Sequence, residues 1–317
     1  MLKILFVELN IKNHFFTLLT VPFIAIGFAT CNMVAESKKR SVDSQMNSPQ
    51  TLEVNGSSTP QIVEKRTVSF LGVKFQYNSS LADDVSGKVI DEYIPDDQTG
   101  RPDGFEPKHL TFQFKGPNAR KYTQPEISVY PISEYKRTVR NSGEYAKRVE
   151  NKFQFLRTVL TDKPSVIKGE YPFITYVDAT QVIHAHKSYF SFKNGSGIAY
   201  LTQFNHGGPY LINNEQLLYV FQGMTTDGKY LISATFPISA PFLPNESDVT
   251  TYKGYTLPNG FYDLPNHADN ERRYSEYLLS VQSELEATPD GVFVPNLTIL
   301  EEVFTSMEIG PDVFKNK

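Results

Sequence analysis

His184 and His186 stand two residues apart in the stretch QVIHAHKSYFSF at 181–192. Alternate side chains of a strand share a face, so this spacing predicts two imidazoles able to meet one metal ion. Zinc accepts imidazole nitrogen but needs a third and usually a fourth ligand. His206 and Asp178 are the candidates. Metal-dependent hydrolysis would be the chemistry of such a set. The plainer expectation is two strand histidines with ordinary hydrogen bonds, because neither a complete ligand set nor a general base stands at recognisable spacing. No bound metal and no other cofactor is therefore expected.

A second group gathers carboxylates. Residues 83–106 include Asp83, Asp84, Asp91, Glu92, Asp96, Asp97, Asp103 and Glu106. Calcium takes such oxygen ligands, but the run Asp96-Asp97-Gln98-Thr99-Gly100 lacks the ligand order of an EF-hand. A solvated acidic loop is the expectation. There is no nucleophile elbow, P-loop, dinucleotide-binding glycine pattern or HExxH. NGSG at 194–197 falls between two apolar runs and reads as a turn, not a phosphate cradle.

Cys31 is the single cysteine of the 317 residues, so no intramolecular disulfide can form. It directly follows FFTLLTVPFIAIGFAT (15–30), an uncharged run preceded by Lys3 and Lys12. A charged start, an apolar run and small residues at its end make an export signal. The run is short for a membrane span, which needs about 20 apolar residues. A cysteine at this place resembles the lipobox of bacterial lipoproteins. That resemblance implies cleavage before Cys31, a lipid on its thiol and a location in the cell envelope, facing the extracytoplasmic side. Ala29 matches the lipobox; Phe28 and Thr30 depart from it. An uncleaved anchor and a plain cleaved signal remain the alternatives. Residues 32–65, with SVDSQMNSPQ and NGSSTPQ, have the composition of a flexible linker. A linker of this length reaches on the order of 30 Å.

These features need a scaffold. Hydrophobic content of 40% allows a core, and 23 Phe with 18 Tyr favour strands. The net charge of -4 and the lack of a basic stripe exclude a nucleic-acid partner. From residue 66 the pattern alternates. Val68 and Phe70, then Val73, Phe75 and Tyr77, predict a hairpin slipping at Leu71-Gly72. HLTFQFK and EISVYPI predict two more strands. Tyr145, Val149, Phe153, Leu156 and Leu160 predict a helix over about 142–160, with Asn141 as its cap and Glu144 as the capping-box partner. Segments 181–192, 198–204, 216–225 and 230–238 predict four antiparallel strands with turns at NGSG and TDGK. Two helices follow at 270–286 and 297–308, the second capped by Asn296.

The organisation expected is thus a signal peptide over 1–31, a linker over 32–65 and one globular domain over 66–312. The fold class is α+β, an antiparallel sheet with helices packed on it. ISVYPISEY, NGSGIAYLTQF and LYVFQGMTTDGKYLISATFPI resemble a group of uncharacterised bacterial exported proteins over roughly 67–310. With the closing LEEVFTSMEI, the element order also resembles the PsbP-like α/β/α sandwich, a likeness of fold that carries no function. Together these imply a membrane-tethered, non-catalytic binding or accessory domain with a protein or small-molecule partner. The alternative is an exported enzyme using His184 and His186.

Overall fold

The computed structural model describes residues 64–94, 105–120, 123–175, 179–206, 208–259, 261 and 267–314. Cys31, the leader, the linker as far as residue 63, and Asp178 lie outside them. In chain order come β1 (Lys65–Phe70), β2 (Val73–Asn78), β3 (Asp84–Ile90), β4 (His109–Lys115) and β5 (Glu126–Pro131), then α1 (Ile132–Val139) and α2 (Glu144–Asp162). They are followed by β6 (Thr180–Gln181), β7 (Ala185–Phe192), β8 (Gly195–Thr202), β9 (Phe204–Asn205), β10 (Leu218–Thr225), β11 (Tyr230–Pro237), β12 (Thr251–Tyr252) and β13 (Tyr255–Thr256). The chain closes with α3 (His267–Ala287), α4 (Leu297–Thr305) and β14 (Glu308–Ile309).

Seven strands form the central antiparallel sheet in the order β3-β4-β5-β11-β10-β8-β7. Strands β5, β11, β10 and β8 divide their residues between two cores, as their pleat allows. Ala199 and Leu201 on β8, and Tyr219 and Phe221 on β10, join one core with Tyr277, Val281 and Leu285 of α3 and Leu300 and Phe304 of α4. The small sheet β1-β2-β14 covers the same face through Val73, Phe75 and Ile309. Ile198, Tyr200 and Val220 join the other core, under Tyr135 of α1 and Val149, Phe153 and Leu156 of α2. The result is an α+β fold with helices on both faces of an antiparallel sheet.

Phenylalanine fills the first core. Phe75 meets Phe112 edge-on at 5.2 Å, Phe114 meets Phe236 at 5.1 Å, and Phe304 stacks on Phe221 at 4.5 Å. Such ring pairs add about 0.5–1.5 kcal/mol each beyond the area they bury.

Local signals fixed most turns. Leu71 and Gly72 have φ of 44° and 87°, which closes the β1–β2 hairpin where the alternation slips. Asp227 Oδ1 accepts from Thr225 Oγ1 at 2.7 Å and from the Lys229 N–H at 3.1 Å, and Gly228 has φ of 68°. The expected cap of α4 is present: Asn296 Oδ1 accepts from the Thr298 N–H at 2.9 Å.

Three expectations need correction. The acidic stretch 83–106 is not one solvated loop: Asp84–Ile90 form β3, paired along its length with β4, and Tyr93 bridges Glu106. NGSG is not the turn: the reversal is made at Lys193 and Asn194, and Gly195 and Gly197 are already β8 residues. They are glycines because a Cβ there would overlap the rings of Phe192 and Phe221. Asn141 does not cap α2. The helix begins at Glu144 after Gly143, with no side-chain cap. The residues before it finish α1 instead: the Ser142 N–H and Oγ both donate to the Val139 carbonyl.

Candidate functional site

The two histidines of the H-x-H pair sit on opposite faces of the sheet. The register of β7 against β8 shifts between Ala185 and Ser188, and His186 has φ of 50°. This β-bulge breaks the two-residue period on which a shared face depends. His184 lies just before β7, its ring stacked on Tyr171 at 4.4 Å. Its Nε2 donates to Gln181 Oε1 at 2.7 Å. Gln181 Nε2 in turn donates to the Tyr171 carbonyl at 3.1 Å, and Tyr200 donates to the Pro172 carbonyl at 3.0 Å. His184 therefore pins the segment 171–172 on the α1–α2 side. Burial lowers its pKa to about 4, so the ring is neutral at pH 7.

His186 turns the other way. Its Nε2 donates to the Leu285 carbonyl at 2.5 Å, its Nδ1 stands 3.3 Å from Asp290 Oδ1, and the edge of Phe293 meets the ring at 5.0 Å. Leu285 is in the last turn of α3, and its carbonyl also accepts from the Thr288 N–H at 3.1 Å. His186 thus ties the bulge to the end of α3. His206 is exposed beyond β9. The structure does not bring the three histidines together, and among the described residues no three of His, Cys, Asp or Glu stand close enough to share a metal.

Two carboxylates of the acidic segment, Asp91 and Glu92, are ion-paired. Glu92 accepts from Arg137 Nη2 at 2.8 Å and also from Thr138, and these bonds hold its carboxyl below the usual range. Asp91 faces Lys108 at 3.7 Å and Glu106 faces His109 at 3.6 Å. His109 is a buried group that the strand pattern had hidden. It stacks on Tyr130 at 4.3 Å and donates through Nδ1 to the Pro107 carbonyl at 2.8 Å. Burial lowers its pKa, and burial likewise raises that of the Glu126 carboxyl on β5. Its place at the start of HLTFQFK, out of phase with Leu110, Phe112 and Phe114, was the available signal.

One concavity lies where β6 and β9 meet the first turns of α3. Val182, Asn205, Pro209, Phe261 and Tyr274 line a hollow of about 550 Å³, with Thr180 and Glu271 also at its wall. Buried amides build its floor. Gln203 Nε2 donates to Asn205 Oδ1 at 2.9 Å and to the Leu211 carbonyl at 3.2 Å, while Gln203 Oε1 accepts from the Asn213 N–H at 3.1 Å. Asn205 Nδ2 donates to the Tyr274 hydroxyl at 3.2 Å, which donates to the Tyr210 carbonyl at 2.7 Å. Phe261 packs edge-on against Tyr274 at 5.8 Å. The floor's polar groups are thus spent on one another, and the hollow offers mainly fixed apolar and aromatic surface. Pockets of this size and lining suit part of a ligand or a side chain of a partner.

No residue lining the hollow is among those the sequence singles out. Tyr274 falls within the helix expected over 270–286. No family model, curated protein or solved structure matches the chain. What the fold defines is a class of architecture: an antiparallel sheet between two helical layers.

Proposed function

We propose that this chain is a membrane-tethered envelope lipoprotein, anchored through Cys31, whose α+β domain binds a ligand or protein partner and performs no chemistry of its own. The observation that supports binding is the hollow at the β6–β9 end, whose floor is rigidified by the Gln203–Asn205–Tyr274 bonds. Preorganised concave surface lowers the cost of ordering on association. The anchor reading rests on the apolar run 15–30 and its final cysteine. The Ser-, Asn- and Pro-rich stretch 32–65 would give the domain reach from the membrane. The enzyme alternative has lost the feature that motivated it, since His184 and His186 face apart.

A photo-crosslinking residue placed at Thr180 in the full-length chain, in its own membranes, tests both halves. The expected result is a discrete adduct in the membrane fraction, weakened by Tyr274→Ala and absent when the crosslinker is at the exposed Val166 instead. Adducts from both positions or from neither, or a chain recovered in the soluble fraction, would overturn the proposal.

A further inference from the structure

β3 is the outermost strand on its side of the central sheet, and among the described residues nothing pairs with its outer edge. The edge is longer than the strand. The register that sets Asp84 against Lys115 and Ile90 against His109 continues to Tyr93 against Glu106. Tyr93 and Glu106 exchange both backbone hydrogen bonds, at 2.7 and 2.8 Å. Backbone groups along a strand alternate in direction. The odd-numbered residues therefore bond β4, and Ser86, Lys88, Ile90 and Glu92 turn their N–H and C=O groups to the open side. Ten residues at about 3.3 Å each give an edge about 30 Å long.

The opposite edge of the sheet is protected. β7 carries the His186 bulge, and Lys187 and Tyr189 both reach the Pro164 carbonyl of a segment lying beside it. Among the described residues β3 has no such cover, and its segment concentrates exposed apolar side chains: Val89 is 38% exposed, Tyr93 53% and Ile94 52%. A long open edge flanked by apolar residues is a template for strand addition.

We infer that this edge is a dimer interface, with β3 pairing antiparallel to β3 of a second copy about a two-fold axis at Val89. The parity of the backbone allows this axis. Lys88 would exchange hydrogen bonds with the partner's Ile90, and Ser86 with the partner's Glu92. Val89 would face the partner's Val89, and Val85 the partner's Tyr93, both in the closer, non-hydrogen-bonded class of pair. Every outward N–H from Ser86 to Glu92 gains an acceptor, the exposed Val89 and Tyr93 gain apolar neighbours, and no like charges stand opposite. Neighbouring axes do worse. At Lys88, that lysine faces itself and Asp84 faces the partner's Glu92. At Ile90, Val89 faces the partner's Asp91. At Asp91, two aspartates meet. A two-fold contact of this kind is closed and does not propagate.

The test uses the full chain in detergent. Light scattering corrected for detergent should give twice the chain mass. Lys88→Pro should give the monomer with an unchanged circular dichroism spectrum, because the lost N–H points outward and makes no bond to β4. Val89→Cys should crosslink two copies on mild oxidation in membranes, whereas the unsubstituted chain and Val166→Cys should not. A monomeric chain at micromolar concentration, a Lys88→Pro chain that remains dimeric, or a Val89→Cys crosslink to a different protein would each overturn the inference.

Discussion

His184 makes the stability of this fold sensitive to mild acid. The ring is part-buried against Tyr171, and burial alone lowers its pKa to about 4 from an ordinary 6.5. The unfolded chain therefore takes up the proton first. The contribution of neutral His184 is complete above pH 6.5 and is lost as the pH falls through 6.5 toward 4. A shift of this size at 1.36 kcal/mol per pH unit is about 3 kcal/mol over the whole window, and about 2 kcal/mol by pH 5. The ring keeps some contact with solvent, so the loss at pH 5 is better set between about 1 and 2 kcal/mol.

His184→Gln isolates this loss from that of His109, whose pKa is also lowered by burial. A glutamine amide can still donate to Gln181 Oε1, but it does not titrate. At pH 7.5 the variant should be less stable than the parent, since it loses the stack on Tyr171, worth about 0.5–1.5 kcal/mol. At pH 5 the gap should close or reverse. Urea unfolding of both chains at pH 7.5, 6.5, 5.5 and 5.0 reads the difference. A gap constant to within about 0.5 kcal/mol across that range would refute the argument, because it would mean that the folded state protonates His184 as easily as the unfolded chain does.

Four further outcomes follow. Asn214→Ala should cost about 2–4 kcal/mol in chemical denaturation: its amide donates to the carbonyls of Ala240 and Leu243 and to Asn245, and accepts from the Ala240 N–H. Gly197→Ala should lower the thermal midpoint, since the added methyl overlaps the Phe221 ring, an overpacking worth about 1–3 kcal/mol. Glu301→Gln should stabilise the protein at pH 7–8 relative to pH 4. Burial and then Asp290 hold the Glu301 carboxyl above its usual range, so its stability contribution is complete below the ordinary carboxylate pKa and is lost as the pH rises through the raised one; partial exposure keeps the gain below about 1 kcal/mol. Cys31→Ser should abolish palmitate labelling and leave a slower-migrating precursor; parent chains that carry no lipid would defeat the anchor proposal.

Apart from β3, which lies in the stretch expected to be a solvated acidic loop, the main strands and the long helices were legible because their side chains report one variable, burial on one face. Leu110, Phe112 and Phe114 alternate and all enter the same core. Tyr145, Val149, Phe153 and Leu156 share one stripe on α2 and enter the other. What the pattern hid were residues that serve the backbone. Gln203, Asn205, Asn213 and Asn214 are polar and look like surface or loop positions, yet all are buried, because they satisfy the carbonyls and N–H groups of irregular segments around the hollow. α1 was hidden too. Its eight residues follow β5 without a break, and ISEYKRTV carries only four buried positions. Short helices draw their stability from packing more than from propensity.

The histidine pair shows where such reasoning meets its limit. Two residues two apart share a face only if the strand between them is regular. Nothing in QVIHAHKSYF marks Ala185–Ser188 as a bulge: there is no glycine to accept the positive φ that His186 adopts, at a strain of order 1 kcal/mol. The conformation is held by contacts made far along the chain, at Leu285, Asp290 and Phe293. The bulge is therefore a consequence of tertiary packing, and the spacing of His184 and His186 is a product of it. The same irregularity that separates the rings also breaks the β7 edge. β3, with no comparable irregularity and its exposed Val89, Tyr93 and Ile94, is left as the edge of this sheet able to accept another strand.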